Sequence, residues 1–491
     1  MRLQLSRSSI SLFVWRTAMQ CVAVFLTWFL LVRDQIFQWR LVASGDPTDT
    51  SSPAMVPEAQ DGEESSIEEN EKDKDETFEV WFQRICEAVK GNDPDIDELQ
   101  LDCKDESVTL DENKMKVLAD AMEHNQYVTS LIFQNMTIEG GAAAQLKRLL
   151  QTNRSVTTLT LDEVGGEGCM AASIGLALHP SSSVRILHLR DNVIDESTAQ
   201  ACGLMLKSNR QLVKLGFSHN TIDAEGISHL SVGLLANRGL KILDLSGNRL
   251  NDTSISKICN ALVHNDSLEY LSLDFNNFGV VGSQAISSML RRNRGIREIH
   301  LFGNSINGEG GQALAESLRH NCSLKTMILS FNNIGDEGAK AFGEALKVNT
   351  TLTKLWFPSN VIGHQGLHAF GDCLPLMNGL EELHVGDFFD LAAVEGLLKG
   401  LKKNTRIVTL RMQSPISEIG GLSSVEEEMD FYLRLNKSGR SILQSSPKMS
   451  LSLWALALEK ANHNQHHTGN PDALYHILRS KPDVMEFSTR R

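Results

Sequence analysis

Apolar side chains return along residues 128–413 with a period that neither a helix nor a strand produces alone. Val128, Val156, Val184, Leu212, Leu240, Leu268, Ile296, Leu324, Leu352 and Leu380 stand 28 residues apart, and most open a segment with further apolar residues at its fourth and sixth positions. Segments such as LKILDLSGN (240–248) and LKTMILSFN (324–332) end on an asparagine, and Asn192, Asn220, Asn248, Asn276, Asn304, Asn332 and Asn360 keep the same interval. Alternation over the first eight positions marks a short strand, and the amphipathic stretch that follows marks a helix. Leucine fills the twenty-third position of nine successive units, at 150, 178, 206, 234, 262, 290, 318, 346 and 374. No single unit of this size can bury its apolar face, so the units must stack into a solenoid with one shared core.

Polar residues punctuate the frame. The ladder asparagine follows the strand, where the chain turns inward and backbone groups need partners; its amide both donates and accepts, so it can bridge adjacent turns. Asp195, Asp223, Asn251 and Asn307 are placed to cap the helices, and glycines at position 15 (226, 282, 310, 338, 366) to let the chain enter them tightly. A second asparagine precedes most strands by three residues (125, 153, 209, 237, 265, 293, 321, 349, 404) and suits the left-handed residue that ends a helix. The frame weakens at its ends: Met136, Val164 and Phe388 replace the ladder asparagine, and the last strand, from Ile407, follows after 27 residues.

The flanks divide the rest. Residues 1–43 hold an apolar run, Thr17–Val32, among arginines with no acid before Asp34; the run is short of the ~20 residues that span a bilayer. It is read as a membrane anchor, with a cleaved secretory signal and an organelle transit peptide as the alternatives. Residues 44–76 form an acidic linker without enough apolar surface to offset the entropy of ordering. Residues 77–127 form an N-terminal capping unit that stands 32 residues from the next and so out of the 28-residue frame, residues 128–413 the repeats, and residues 414–491 a C-terminal helical cap that includes Trp454 and Tyr475.

Charge and chemistry narrow the function. The net charge of -14 is concentrated in Asp46–Glu79, which has thirteen acids against two lysines; no basic face of the kind nucleic acid requires remains. Eight scattered cysteines give neither a zinc pattern nor a disulfide framework, and Cys169, Cys202, Cys259 and Cys373 fall in predicted helices, which favours a reducing compartment. Gly166, Gly168 and Ala171 follow a strand as in a dinucleotide site, but other units repeat the arrangement, so the glycines belong to the repeat. Four of seven glycosylation sequons (153, 265, 321, 349, besides 135, 251 and 436) arise from the helix-ending asparagine and speak little for secretion. His300 and His384 stand three strands apart, about 14 Å, too far to share a metal. No cofactor, metal site, small-molecule substrate or catalytic residue is expected.

The period, the leucines and the asparagine together resemble the ribonuclease-inhibitor-like class of leucine-rich repeats over about residues 95–413. The resemblance implies an α/β horseshoe with a parallel inner sheet and outer helices, a fold that serves mostly as a binding surface. On the concave face the early units carry small or polar residues. Later ones carry Tyr270, Phe275, His300, Phe302, Phe331, Trp356 and His384 with Glu298, Lys354 and Glu382 alongside, a pattern that marks a protein interface. On this reading Trp356→Ala with Phe302→Ala abolishes capture and leaves unfolding nearly unchanged. The function expected is a non-enzymatic scaffold or adaptor for a protein partner, tethered to a membrane, with its repeats on the cytosolic side. The alternatives are a Ran-type GTPase activator, for which Arg190 is the one candidate residue, and an extracellular or lumenal receptor.

Overall fold

The computed structural model describes residues 78–103, 108–165, 182–386, 391–413, 422–437 and 440. They belong to the unit that runs from Glu76 to Arg491; a separate unit ends at Asp75. The apolar run at 17–32, the acidic linker, the Gly166–Ala171 stretch, Leu178, Phe388, Trp454 and Tyr475 lie outside them. Among the described residues no helix is long and apolar enough to cross a membrane.

Among the described residues thirteen strands form one sheet: β1 (Glu98–Asp102), β2 (Thr109–Leu110), β3 (Ser130–Ile138), β4 (Thr158–Gly165), β5 (Ile186–Arg190), β6 (Lys214–Gly216), β7 (Ile242–Asp244), β8 (Tyr270–Ser272), β9 (Glu298–His300), β10 (Thr326–Ile328), β11 (Lys354–Trp356), β12 (Glu382–Gly386) and β13 (Thr409–Gln413). Their order in space is their order in sequence, with β2 pairing β3 off the main path. Lys214 pairs Ile242, Ile242 pairs Tyr270, and Tyr270 pairs Glu298, all in parallel at the 28-residue interval. The register departs from 28 where the pattern frays: Glu98 pairs Ser130, and Glu382 pairs Thr409. The molecule is thus an unclosed α/β leucine-rich repeat solenoid.

One buried cluster runs from Phe82 to Leu433 through every described unit. Leucines 206, 234, 262, 290, 318, 346 and 374 are buried on the helix side, and Leu215, Leu243, Leu271 and Leu355 on the strand side. Burial of this kind contributes about 25 cal/mol per Å² of apolar surface removed from water. In the capping unit the helix Phe78–Lys90 buries Phe82, Cys86 and Val89 in this cluster and packs on the helix Glu112–Met122.

Most of the ladder asparagines work in both directions, whereas Asn248 and Asn332 donate through Nδ2 and leave Oδ1 buried without a partner. The Asn220 Nδ2 donates to Leu189 O at 2.7 Å and Phe217 O at 2.8 Å, while its Oδ1 accepts from the Asn192 N–H at 2.8 Å. Asn276 repeats this, donating to Leu245 O and accepting from the N–H groups of Asn248 and Leu250. Where apolar Met136 and Val164 replace the asparagine, no such turn is made and β3 and β4 run on, with Met136 pairing Val164.

Asp195, Asp223, Asn251 and Asn307 cap their helices, each accepting a backbone N–H from the first turn. The position-15 glycines let the chain enter each helix tightly through the absence of a side chain and not through positive φ, which none of them has. They give room: a Cβ on Gly338 would collide with Ile334 Cγ2, and one on Gly366 would meet Asp336 Oδ1 at 2.6 Å.

The second asparagine series corrects the sequence reading more sharply. Asn153, Asn209 and Asn237 are extended, with φ of -71°, -74° and -71°, not left-handed. Asn237 shows why. Its Nδ2 donates to Leu206 O (2.7 Å) and Asn209 O (3.0 Å), and its Oδ1 accepts from the N–H groups of Gly239 (2.9 Å) and Leu240 (2.7 Å). The series is a second ladder, buried where each helix hands over to the next strand.

The left-handed residue stands elsewhere, directly before the first ladder. Asn135, Glu163, Asp191, His219, Gly247, Phe275, Gly303, Phe331 and Ser359 all have φ between +50° and +68°. For a bulky side chain that conformation costs about 1–2 kcal/mol.

Candidate functional site

The side chains that alternate with the core leucines lie on the sheet's other face, and there the ten predicted residues fall into three groups. In the first, Tyr270 on β8 meets His300 on β9: Oη and Nδ1 are 3.0 Å apart, and the rings are edge to face at 4.8 Å. The His300 Nε2 lies 2.6 Å from Glu298 Oε1, two residues back on the same strand face. Asp274, just past β8, places Oδ2 at 3.7 Å from His300 Nδ1, and its Oδ1 accepts the Phe302 N–H at 2.6 Å. Neither Asp274 nor its neighbour Asp244 was among the predicted residues, although strand parity puts both beside Tyr270.

Electrostatics couples this group. Burial pushes the Asp274 carboxyl up to about 6, against the opposing pull of the His300 charge and the Phe302 N–H. Burial alone would lower His300, but the hydrogen bond to Glu298 and the charges of Asp274, Glu298 and Asp244 outweigh it and hold the imidazole above its ordinary value. Tyr270 is raised well above its usual value by burial and by the same carboxylates.

The second group repeats the plan three rungs on. The indole of Trp356 on β11 stacks on His384 of β12, and Trp356 Nε1 donates to Glu382 Oε1 at 3.2 Å. The same oxygen is 3.0 Å from His384 Nε2, a close charge contact without the alignment of a directed hydrogen bond. Lys354 Nζ reaches Glu382 Oε2 at 3.4 Å. The His384 contact, ahead of the opposing effect of burial, and then Lys354 hold the Glu382 carboxyl below the usual range.

The third group overturns part of the expectation. Phe302 is 3% exposed, not a surface anchor. It lies between Phe275 and Phe331, with ring centroids 4.7 Å and 5.0 Å away. The reason is the left-handed backbone at 275 and 331, which brings those rings in on either side of it. Gly303 leaves room for the Phe275 ring, since a Cβ there would stand 3.0 Å from Phe275 Cδ1. Phe275 keeps 40% of its surface exposed, so it, with the half-buried Tyr270, Phe331 and Trp356, offers apolar surface to a ligand.

Arg190 is exposed at the end of β5 and pairs with Asp191, Nε to Oδ2 at 3.0 Å. Among the described residues no group of three or more His, Cys, Asp or Glu is arranged to hold a metal ion. The described helical thiols are buried, and burial pushes Cys202 and Cys259 up to about 12.

Residues 236–259, 292–315 and 320–343 match the leucine-rich repeat family model. Among solved structures, actin-binding site 2 of leiomodin-1 is 23% identical over 32% of this chain and 92% of its own, with a TM-score of 0.28. The tropomodulin C-terminal domain of Caenorhabditis elegans is 11% identical over 42% of this chain and 92% of its own, with a TM-score of 0.25. Scores this low leave the fold assignment resting on the repeats themselves. No curated protein matches the chain significantly.

Proposed function

We propose that this protein is a non-enzymatic scaffold of the ribonuclease-inhibitor-like class, tethered to a membrane through residues 1–43, that captures a protein partner on the sheet face spanning β8 to β12. The observation that carries this reading is the doubled constellation of aromatic, histidine and glutamate, Tyr270–His300–Glu298 and Trp356–His384–Glu382. Parallel strands stand about 4.8 Å apart, so the two copies are offset by about 14 Å along the sheet. Rings with exposed edges next to charges already held in place are the composition of interface hot spots. The partner is a protein surface broad enough to span both copies, with Phe275 at one margin and Lys354 at the other.

Affinity capture with the full chain, quantified against a Tyr270→Ala/Trp356→Ala variant, tests this. The same partner should bind the wild type and be lost from the variant, while Lys340→Ala, on the helix side, captures it normally. Equal capture by all three would remove the sheet face as the docking site.

A further inference from the structure

We infer that the repeats fold only in a compartment that the asparagine-linked glycosylation machinery does not reach, because five of the chain's seven sequons are built into its buried backbone-bridging ladder. The acceptor amides are those of Asn153, Asn265, Asn321, Asn349 and Asn436, each at most 5% exposed. Four of them are rungs of the second ladder, and Asn436 extends it to the C-terminal helix Leu422–Lys437.

The nitrogen that would carry the sugar is in every case occupied. Asn153 Nδ2 donates to Met122 O at 2.8 Å and Asn125 O at 3.1 Å. Asn265 donates to Leu234 O and Asn237 O, and Asn349 to Leu318 O and Asn321 O. Asn321 donates to Leu290 O at 2.7 Å and to its own sequon hydroxyl, Ser323 Oγ, at 3.3 Å. Asn436 donates to Asn404 O at 3.1 Å and Ile407 O at 2.9 Å. Glycosyl transfer breaks one N–H bond of such an amide, forms an N–C bond to the sugar, and releases the proton and the sugar's diphosphate carrier. The rung then loses a donor, a buried carbonyl loses its partner, and a bulky polar group must occupy a packed interior.

The enzyme acts on unfolded chain, so native burial gives these sites no protection during synthesis. A chain threaded into a glycosylating lumen would be modified before the ladder could close. The two remaining sequons differ in this respect: Asn251 is exposed while it caps its helix, and Asn135 is half-buried with its Nδ2 on Asp102 Oδ1. Sugars on those two would leave the ladder intact.

Other rungs form without a hydroxyl at the sequon's third position, which makes the idea separable from folding defects. Asn209, Asn237, Asn293 and Asn404 make the same amide bonds with Gln211, Gly239, Gly295 and Arg406 in the hydroxyl position. Two full-length forms are compared in glycosylating cells, each preceded by a cleavable secretory signal: the wild type, and Ser155→Ala/Ser267→Ala/Ser323→Ala/Thr351→Ala/Ser438→Ala. The wild type should be glycosylated at the ladder and retained as aggregate, and the variant should fold, giving a cooperative melt and protease resistance. The chain without the added signal but with a C-terminal sequon tag should show no endoglycosidase-sensitive shift. A folded, secreted wild type, whether glycosylated or skipped at these five sites, or sugar on the tag of the unredirected chain, overturns the inference.

Discussion

The indole of Trp356 lies flat on the imidazole of His384, with ring centroids 4.4 Å apart and 3° between their planes. Two aromatic systems on neighbouring strands are thereby held face on, with the Glu382 carboxylate touching both. Trp356→Ala should cost about 0.5–1.5 kcal/mol beyond the lost apolar area. Urea unfolding checks this against Trp356→Leu, which keeps much of the apolar area but not the ring. Equal losses in the two variants would mean that the stack itself adds nothing.

Phe302→Ala should behave as a core truncation and cost about 3–5 kcal/mol, visible as a lower denaturation midpoint with an unchanged slope. Combined with Trp356→Ala it therefore cannot leave unfolding untouched, as an exposed residue would have allowed.

Phe275→Gly should be close to neutral, because relief of the left-handed backbone, about 1 kcal/mol, offsets the lost ring contact with Phe302. Phe275→Val should be clearly destabilising, since a β-branched side chain tolerates φ of +52° poorly. If glycine were the worse substitution in chemical denaturation, the strain at this position would be small.

Asn237→Ala strands four backbone groups at once and should cost on the order of 3 kcal/mol, more than loss of an ordinary hydrogen bond. The loss should appear in hydrogen exchange as local opening at Gly239 and Leu240, whose N–H groups it serves.

Stability should fall as pH rises through the range governed by Asp274 and His300. The Asp274 carboxyl lies at about 6 in the folded state, above its unfolded value of 3.8, and His300 is raised as well, so the folded state holds more protons than the unfolded one. Their joint contribution is complete at low pH, declines between about 4 and 6 as Asp274 ionises, and declines further as His300 loses its proton. Asp274→Asn should flatten the lower part of that slope. A wild-type melting temperature from this pair that rises with pH would contradict the assignment.

Much of this structure was legible in the residues. The 28-residue interval gave strands, helices and caps, which are set by side chains within one unit, and the first ladder, whose bridging amides were expected from their place where the chain turns inward. The second ladder was visible as a series of asparagines but misread as helix-ending left-handed residues, since the carbonyls that Asn237 serves belong to Leu206 and Asn209, one unit back. The site was legible as strand parity: Tyr270, His300, Trp356 and His384 do share a face. The burial of Phe302 was not, because it depends on the backbone hand at Phe275 and Phe331, and parity carries no information about hand.

The two ladders also set what lengths the chain can take. Asn237 reaches carbonyls 28 and 31 residues behind it, and the rungs at Asn153, Asn265, Asn293 and Asn349 count the same way. Deleting a whole unit, such as residues 240–267, brings Leu268 to where Leu240 stood and lets each asparagine find an equivalent carbonyl. Deleting one residue from the same stretch misaligns both ladders and one strand register together. The solenoid is therefore countable in whole units, and natural variants of it should differ in length by multiples of 28.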